Sequence, residues 1–101
     1  MLSYRNFRAE FEREVLNIII KKTRSFTFND IYKELRKLCD NSIPDDYIVD
    51  IVCVSIEFCL SQGYIKHYTD NVYTVSIINR DKFETFTDKL NDKDFTVKNT
   101  L

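Results

Sequence analysis

Apolar residues recur at spacings of three and four in three stretches of the chain, the pattern of amphipathic helices that bury one face. We predict a first helix over about residues 6–23, a second over 28–39 and a last one over 79–90. Their apolar stripes are Phe7, Phe11, Val15, Ile18 and Ile19 in the first helix, Ile31, Leu35 and Leu38 in the second, and Phe83, Phe86 and Leu90 in the last.

Capping residues mark where two of these helices begin. Thr27 and Asp30 have the spacing of a capping box, in which each side chain accepts from the other residue's backbone N–H. Asp81 and Glu84 have the same spacing at the start of the last helix. Residues 25–26 precede the first box, and we predict that they form a short extended segment.

The stretch over residues 44–62 is mostly apolar, and its many β-branched residues are also typical of a strand. It contains no breaker and is longer than the roughly 5–6 residues of an average strand. Its polar side chains fall on one narrow helical stripe formed by Asp46, Asp50, Glu57 and Ser61. We therefore predict a third helix that is buried except along this stripe, with its two cysteines, Cys53 and Cys59, shielded from solvent.

Gly63 is the one glycine of the chain and follows this helix directly. Glycine adopts the left-handed conformation that ends many helices without steric cost. The residues after it predict a hairpin, with strands over 64–68 and 72–78 and a turn between them. On the return strand, Tyr73, Val75 and Ile77 should share one face.

Together these elements predict a mainly α-helical chain with a small β-hairpin, an α+β fold. The 101 residues suffice for one core, which we place over residues 1–90, with 91–101 as a loosely held tail. The net charge is −1, yet residues 1–37 carry nine bases and five acids, whereas residues 38–65 carry five acids and no base. The chain therefore has a basic front and an acidic middle.

The sequence offers little catalytic or metal-binding chemistry. His67 has no recognisable nucleophile or orienting acid beside it, and the three cysteines form no C-x-x-C pair. A single glycine cannot build a phosphate-cradling loop. We expect a protein that is not an enzyme and holds no cofactor or metal. The charged N-terminal stretch and the lack of a long apolar run favour a cytoplasmic protein without a membrane segment.

Residues 7–78 resemble the winged helix-turn-helix superfamily in the order of their elements. That order is helix, short extended segment, helix, turn, helix and hairpin. The segments F-T-F-N-D-I and L-S-Q-G-Y-I resemble the start of its second helix and the join between its recognition helix and its wing. With the last helix, the chain would be a winged helix-turn-helix domain carrying an additional C-terminal helix. The resemblance implies a small DNA-binding protein, a transcriptional regulator or a partition-type protein, whose third helix enters the major groove of double-stranded DNA.

The resemblance also implies which residues contact DNA. Phosphates would be reached by a basic ridge formed by Lys21, Lys22, Arg24, Lys33, Arg36, Lys37, Lys66 and His67. Base edges would be faced by Ser42 and Tyr47, with Asp45, Asp46 and Asp50 beside them. DNA phosphates repel carboxylates, and phosphate contacts supply much of DNA-binding affinity. The alternative is a winged-helix module that binds a protein through the acidic face of its third helix and does not bind DNA.

The predicted helices carry more apolar surface than one small core needs, which predicts a homodimer. We place its interface on the first and last helices, at Phe7, Phe11, Phe83, Phe86 and Leu90. A two-fold dimer would put two basic ridges on one face, at a spacing suited to successive half-sites of a duplex.

Overall fold

The computed structural model describes residues 1–92, and residues 93–101, most of the predicted tail, lie outside the described residues. Helices and short strands follow one another in the predicted order along the described chain. Their bounds are α1 (Arg8–Ile20), β1 (Phe26–Thr27), α2 (Phe28–Leu38), α3 (Asp45–Ser61), β2 (Ile65–Thr69), β3 (Val72–Val75) and α4 (Arg80–Asn91). The predicted α+β class and the hairpin are confirmed. Two elements are clearly shorter than predicted: α1, predicted over 6–23, and the return strand β3, predicted over 72–78.

The sheet contains a strand that the sequence did not predict. Strands β2 and β3 form the hairpin, and β1 pairs antiparallel with β3, which gives the order β1-β3-β2. In this pairing Phe26 faces Tyr73 and Thr27 faces Val72. Two residues are too few to show a period of two, so the sequence indicated only an extended segment here. The pairing ties the linker between α1 and α2 to the hairpin.

The capping box predicted at the start of α2 is confirmed. The Asp30 backbone N–H donates to Thr27 Oγ1 at 3.2 Å, and the Thr27 N–H donates to Asp30 Oδ2 at 2.9 Å. Thr27 therefore ends β1 and caps α2 at once. The second predicted box, at Asp81 and Glu84, is wrong because α4 already begins at Arg80.

Gly63 ends α3 in the left-handed conformation, as predicted, with a φ of +75°. The Gly63 N–H donates to the Leu60 carbonyl at 3.1 Å, and the Tyr64 N–H donates to the Cys59 carbonyl at 2.9 Å. These two bonds are those of a Schellman motif. The Asn79 side-chain amide donates to the Gly63 carbonyl at 2.9 Å, so the segment before α4 is held against this turn.

All four helices and the sheet contribute to one apolar core. Its members include Phe11, Val15, Ile19, Phe26, Ile31, Leu35, Ile48, Ile51, Val52, Cys59, Ile65 and Phe83. α4 joins this core through the Phe83 ring, which stacks on Tyr64 with a centroid distance of 4.7 Å. Arg80 also donates to the Ile20 carbonyl at 3.0 Å, so the start of α4 is fixed to the end of α1.

Several side chains predicted to be shielded or to share an ordered face are exposed, among them Val49 and Val54 on α3, at 41% each. Leu38 is 40% exposed because α2 ends there and the next residue, Cys39, takes the core position. Ile77 is 91% exposed because β3 ends at Val75, so the alternation along the strand stops before it. Cys53 is exposed because it lies on the outward face of α3.

Cys53 and Cys59 should therefore differ in alkylation. Burial raises the pKa of Cys59 to about 12, while desolvation and the nearby Glu57 carboxylate raise the pKa of the exposed Cys53. Because the thiolate is the reactive form, iodoacetamide should label native Cys53 slowly and leave Cys59 unmodified. Glu57→Gln should speed the labelling of Cys53 by lowering its pKa. Peptide mass spectrometry over time checks both, and fast labelling of native Cys59 would contradict the burial of α3.

Candidate interaction surfaces

The outward face of α3 is acidic. Asp46, Asp50 and Glu57 are exposed and lie within one narrow arc of the helix, a set we call the acidic stripe. The opposite face holds the buried residues Ile48, Ile51, Val52, Ser55, Ile56 and Cys59. No lysine or arginine occurs in α3. The predicted polar stripe is thus confirmed, and it presents negative charge to solvent.

One arginine partly offsets this charge. Arg8, at the start of α1, places its guanidinium 2.8 Å from Asp50 Oδ2 and donates from Nε to Glu12 Oε2 at 3.2 Å. The hydrogen bond to Asp50 is the largest cause of the raised pKa of Arg8. The Glu57 carboxylate accepts a hydrogen bond from the Cys53 thiol at 3.8 Å and forms no ion pair with another described residue. The stripe therefore keeps a net negative charge.

Arg36, predicted to contact phosphate, instead joins α2 to the start of α3. Its guanidinium donates to the Asp40 carbonyl at 2.6 Å, the Ile43 carbonyl at 2.7 Å and Asp45 Oδ1 at 2.9 Å. The Tyr32 hydroxyl donates to the same Asp45 oxygen at 2.9 Å, and this bond is the largest cause of the raised pKa of Tyr32. These bonds hold the connector between the two helices, so Arg36 is not free to reach a ligand.

The other members of the predicted basic ridge belong to different elements of the fold. Lys22 is ion-paired with Glu34 and lines a groove between α1 and α2 together with Lys21. Lys33 and Lys37 are exposed one turn apart on α2. The remaining exposed members lie after α1 and on β2, and these are Arg24, Lys66 and His67. His67 also packs its ring 5.0 Å from that of Tyr73.

The two residues predicted to face base edges have different surroundings. Tyr47 is half-buried, with its ring edge-on to Phe11 at 5.5 Å and the Arg8 guanidinium 5.9 Å from its centroid. Ser42 is exposed in the connector, and its backbone N–H donates to Asp40 Oδ1 at 2.8 Å. Hydrogen bonds from Ser42 lower the pKa of Asp40. Tyr47 is thus mainly a packing residue beside the acidic stripe.

The residues predicted to form a dimer interface do not share one surface. Phe11 and Phe83 are 1% and 0% exposed, so their side chains belong to the core of the chain itself and cannot supply an intersubunit contact. Phe7 is 59% exposed at the start of α1. Phe86 and Leu90 are half-buried on α4. The helical stripes could not distinguish core from interface, because both bury apolar side chains. The homodimer itself stays a prediction.

A groove between α1, α3 and α4 was missed by the sequence analysis. It has a volume of about 230 Å³ and is lined by Ala9, Glu12, Arg13, Leu16, Val54, Ser55, Phe58, Phe86 and Leu90. Ser55 is 4% exposed, and its hydroxyl has no hydrogen-bond partner among the described residues. The one available signal was this serine, a polar residue on the apolar side of the predicted third helix.

Metal ligands and a membrane-spanning helix are both lacking from the described part of the chain. Within residues 1–92, no group of three or more His, Cys, Asp or Glu side chains is placed to hold a metal ion. None of the helices there has the length and apolar character needed to cross a bilayer. No family model, curated protein or solved structure matches the chain.

Proposed function

We propose that this chain is a winged-helix protein-interaction module, which binds a basic surface of a partner protein through the acidic stripe on α3. The position of Asp46, Asp50 and Glu57 on the outward face of α3 carries this proposal. Opposite charges on two protein surfaces speed their association and fix which partners fit. The acidic stripe therefore suits a partner segment rich in lysine or arginine.

The arrangement of elements supports the winged-helix part of the proposal. Three helices precede the hairpin, a short strand lies between α1 and α2, and that strand pairs with the return strand of the hairpin. In a winged helix-turn-helix protein, α3 would be the recognition helix and the β2–β3 hairpin the wing. The acidic stripe would then lie where such a protein presents its recognition surface.

The acidic stripe on the outward face of α3 argues against major-groove binding through this helix. Affinity for DNA comes largely from lysine and arginine side chains that neutralise phosphates. α3 has neither, and its solvent face carries carboxylates. A duplex docked on this face would bring its phosphates close to Asp46 and Glu57, where like charges repel.

The proposal is tested by removing the charge of the stripe without changing its shape. Asp46→Asn, Asp50→Asn and Glu57→Gln together should weaken binding of a short fluorescent lysine-rich peptide by about tenfold or more at low salt. The matched control is Asp81→Asn, Glu84→Gln and Asp88→Asn, which removes the same charge from exposed positions of α4. Fluorescence anisotropy measures both. Equal weakening by the two variants would show that only net charge matters, and it would overturn the proposal.

DNA binding is the second candidate, because exposed bases remain away from α3. Lys21, Arg24, Lys33, Lys37 and Lys66 are exposed, and none forms an ion pair with another described residue. If these residues bind a duplex as a regulator or partition-type protein would, affinity should fall steeply with salt. Lys33→Glu with Lys37→Glu should abolish binding, and the stripe variant should bind duplex more tightly. Duplex binding with those properties would replace the protein-interaction proposal.

A further inference from the structure

The groove between α1, α3 and α4 opens beside the acidic stripe. Val54 is 41% exposed and lines the groove. On the helix surface it has Asp50 four residues before it and Glu57 three residues after it, so both carboxylates are its neighbours. A ligand in the groove beside Val54 would therefore lie near two members of the stripe.

The walls of the groove are apolar, and its floor contains one polar group without a partner. Apolar walls come from Leu16 on α1, Phe58 on α3, and Phe86 and Leu90 on α4. Ser55, also on α3, adds a hydroxyl that forms no hydrogen bond among the described residues. Buried hydroxyls are normally hydrogen-bonded, and one left unpaired lowers stability. A ligand with an apolar body and one hydrogen-bonding group would satisfy both features.

The size of the groove fits an aromatic side chain. A cavity of roughly 150 Å³ lined by apolar side chains is large enough to bind benzene, and this groove has a volume of about 230 Å³. Tyrosine and tryptophan combine a large apolar ring with a single polar handle, and both are enriched among residues that dominate protein interfaces. An indole N–H can donate to a serine hydroxyl, whereas a phenylalanine side chain has no hydrogen-bonding group.

The charges at the groove point to the residues that flank such a ring. Two charged residues line the groove, Glu12 and Arg13, and Arg13 lies 4.0 Å from the Glu14 carboxylate. Glu12 is held by Arg8, which also bonds Asp50. On the α1 and α3 sides of the groove, the four carboxylates of Glu12, Glu14, Asp50 and Glu57 outnumber the two guanidiniums of Arg8 and Arg13. Basic residues on either side of the ring complement that excess.

We propose that this groove receives a tryptophan or tyrosine side chain from a basic segment of the partner, with its polar atom paired to Ser55. This inference rests on the proposed function, since the flanking bases of the same segment would contact the acidic stripe. The groove would supply most of the affinity and the stripe would select basic partners. The two contributions can therefore be separated by experiment.

The chain contains no tryptophan, so tryptophan in a peptide reports its own surroundings. Three short lysine-rich peptides that differ only in a central tryptophan, phenylalanine or alanine serve as probes. On mixing with the full chain, the tryptophan peptide should shift its emission to shorter wavelength and bind about tenfold or more tightly than the alanine peptide. Ser55→Ala should weaken the tryptophan peptide by roughly two- to tenfold and leave the phenylalanine peptide unchanged.

A plug provides a second variant that does not disturb the core. Ala9 is exposed and lines the groove, so Ala9→Phe should fill it and remove the emission shift. Asn29→Phe, at an exposed position of α2, is the matched control and should leave the shift intact. An emission shift that survives Ala9→Phe would overturn the groove assignment.

The outcomes separate the groove from the stripe. If all three peptides bind equally and lose affinity in the stripe variant, the proposed function stands and the groove inference is wrong. If none binds, the proposed function itself is wrong. A homodimer that Ala9→Phe dissociates, detected by sedimentation, would show a second copy of this chain in the groove and would also overturn the inference.

Discussion

Replacing Gly63 with valine should lower the free energy of unfolding by about 2–4 kcal/mol, because two costs coincide at this position. The φ of +75° is unfavourable for any residue with a Cβ and especially for a β-branched one. A Cβ placed there would also lie 2.9 Å from Asn79 Nδ2, the atom that donates to the Gly63 carbonyl. Urea denaturation followed by circular dichroism measures the change.

A double-mutant cycle separates these two costs. Gly63→Ala in the wild-type chain carries both the backbone strain and the contact with Asn79, whereas Gly63→Ala in an Asn79→Ala chain carries only the strain. We expect the second substitution to cost less. An unfolding free energy for Gly63→Val within about 0.5 kcal/mol of wild type would contradict the Schellman turn at the end of α3.

Arg36→Met should lower the free energy of unfolding by about 2–3 kcal/mol, because it removes three hydrogen bonds that join α2 to the connector and to the start of α3. The connector keeps other bonds in this variant, from the Asp40 N–H to the Leu2 carbonyl at 2.6 Å and from the Ile43 N–H to the Asp40 carbonyl at 3.1 Å. Arg36→Lys should recover only part of the loss, since a single ammonium cannot reproduce the planar fork that reaches two carbonyls and a carboxylate. Denaturant unfolding of the three proteins gives the ranking.

The adjacent lysine provides the control. Lys37 is exposed and no ion pair joins it to another described residue, so Lys37→Met should change stability by about 0.5 kcal/mol or less. Equal effects at the two positions would show that Arg36 is an ordinary surface residue. The same contacts explain why a test of DNA binding should reverse the charges of Lys33 and Lys37 alone, since charge reversal at Arg36 would also weaken the fold.

Local signals predicted most of the secondary structure. The Thr27–Asp30 box, the glycine at 63 and the helical spacing of polar residues in α3 each depend on neighbours within about one helical turn, so the sequence displays them directly. The start of α4 shows the limit of such signals, because the spacing of Asp81 and Glu84 fits a capping box that does not form. There the Asn79 side chain bonds Gly63, and Arg80 bonds the end of α1, so tertiary contacts set the boundary.

The candidate surfaces were less predictable because they depend on which residues meet in space. Arg36 follows the same helical pattern as Lys37, yet only its position opposite the connector makes it a structural residue. Phe83 and Phe86 belong to one apolar stripe, but one is fully buried and the other lines the groove. The groove joins residues from three helices, and no periodicity along a single helix indicates how three helices fit together.

The pairing of β1 with β3 closes a long loop of the chain. Residues 26–27 pair with residues 72–73, and α2, α3 and the turn at Gly63 all lie between them. Bringing such distant segments together costs loop entropy that local helix formation does not. Thr27 both ends this strand and caps α2. Opening of the hairpin would therefore also weaken the cap at the first turn of α2, although the two segments are far apart in sequence.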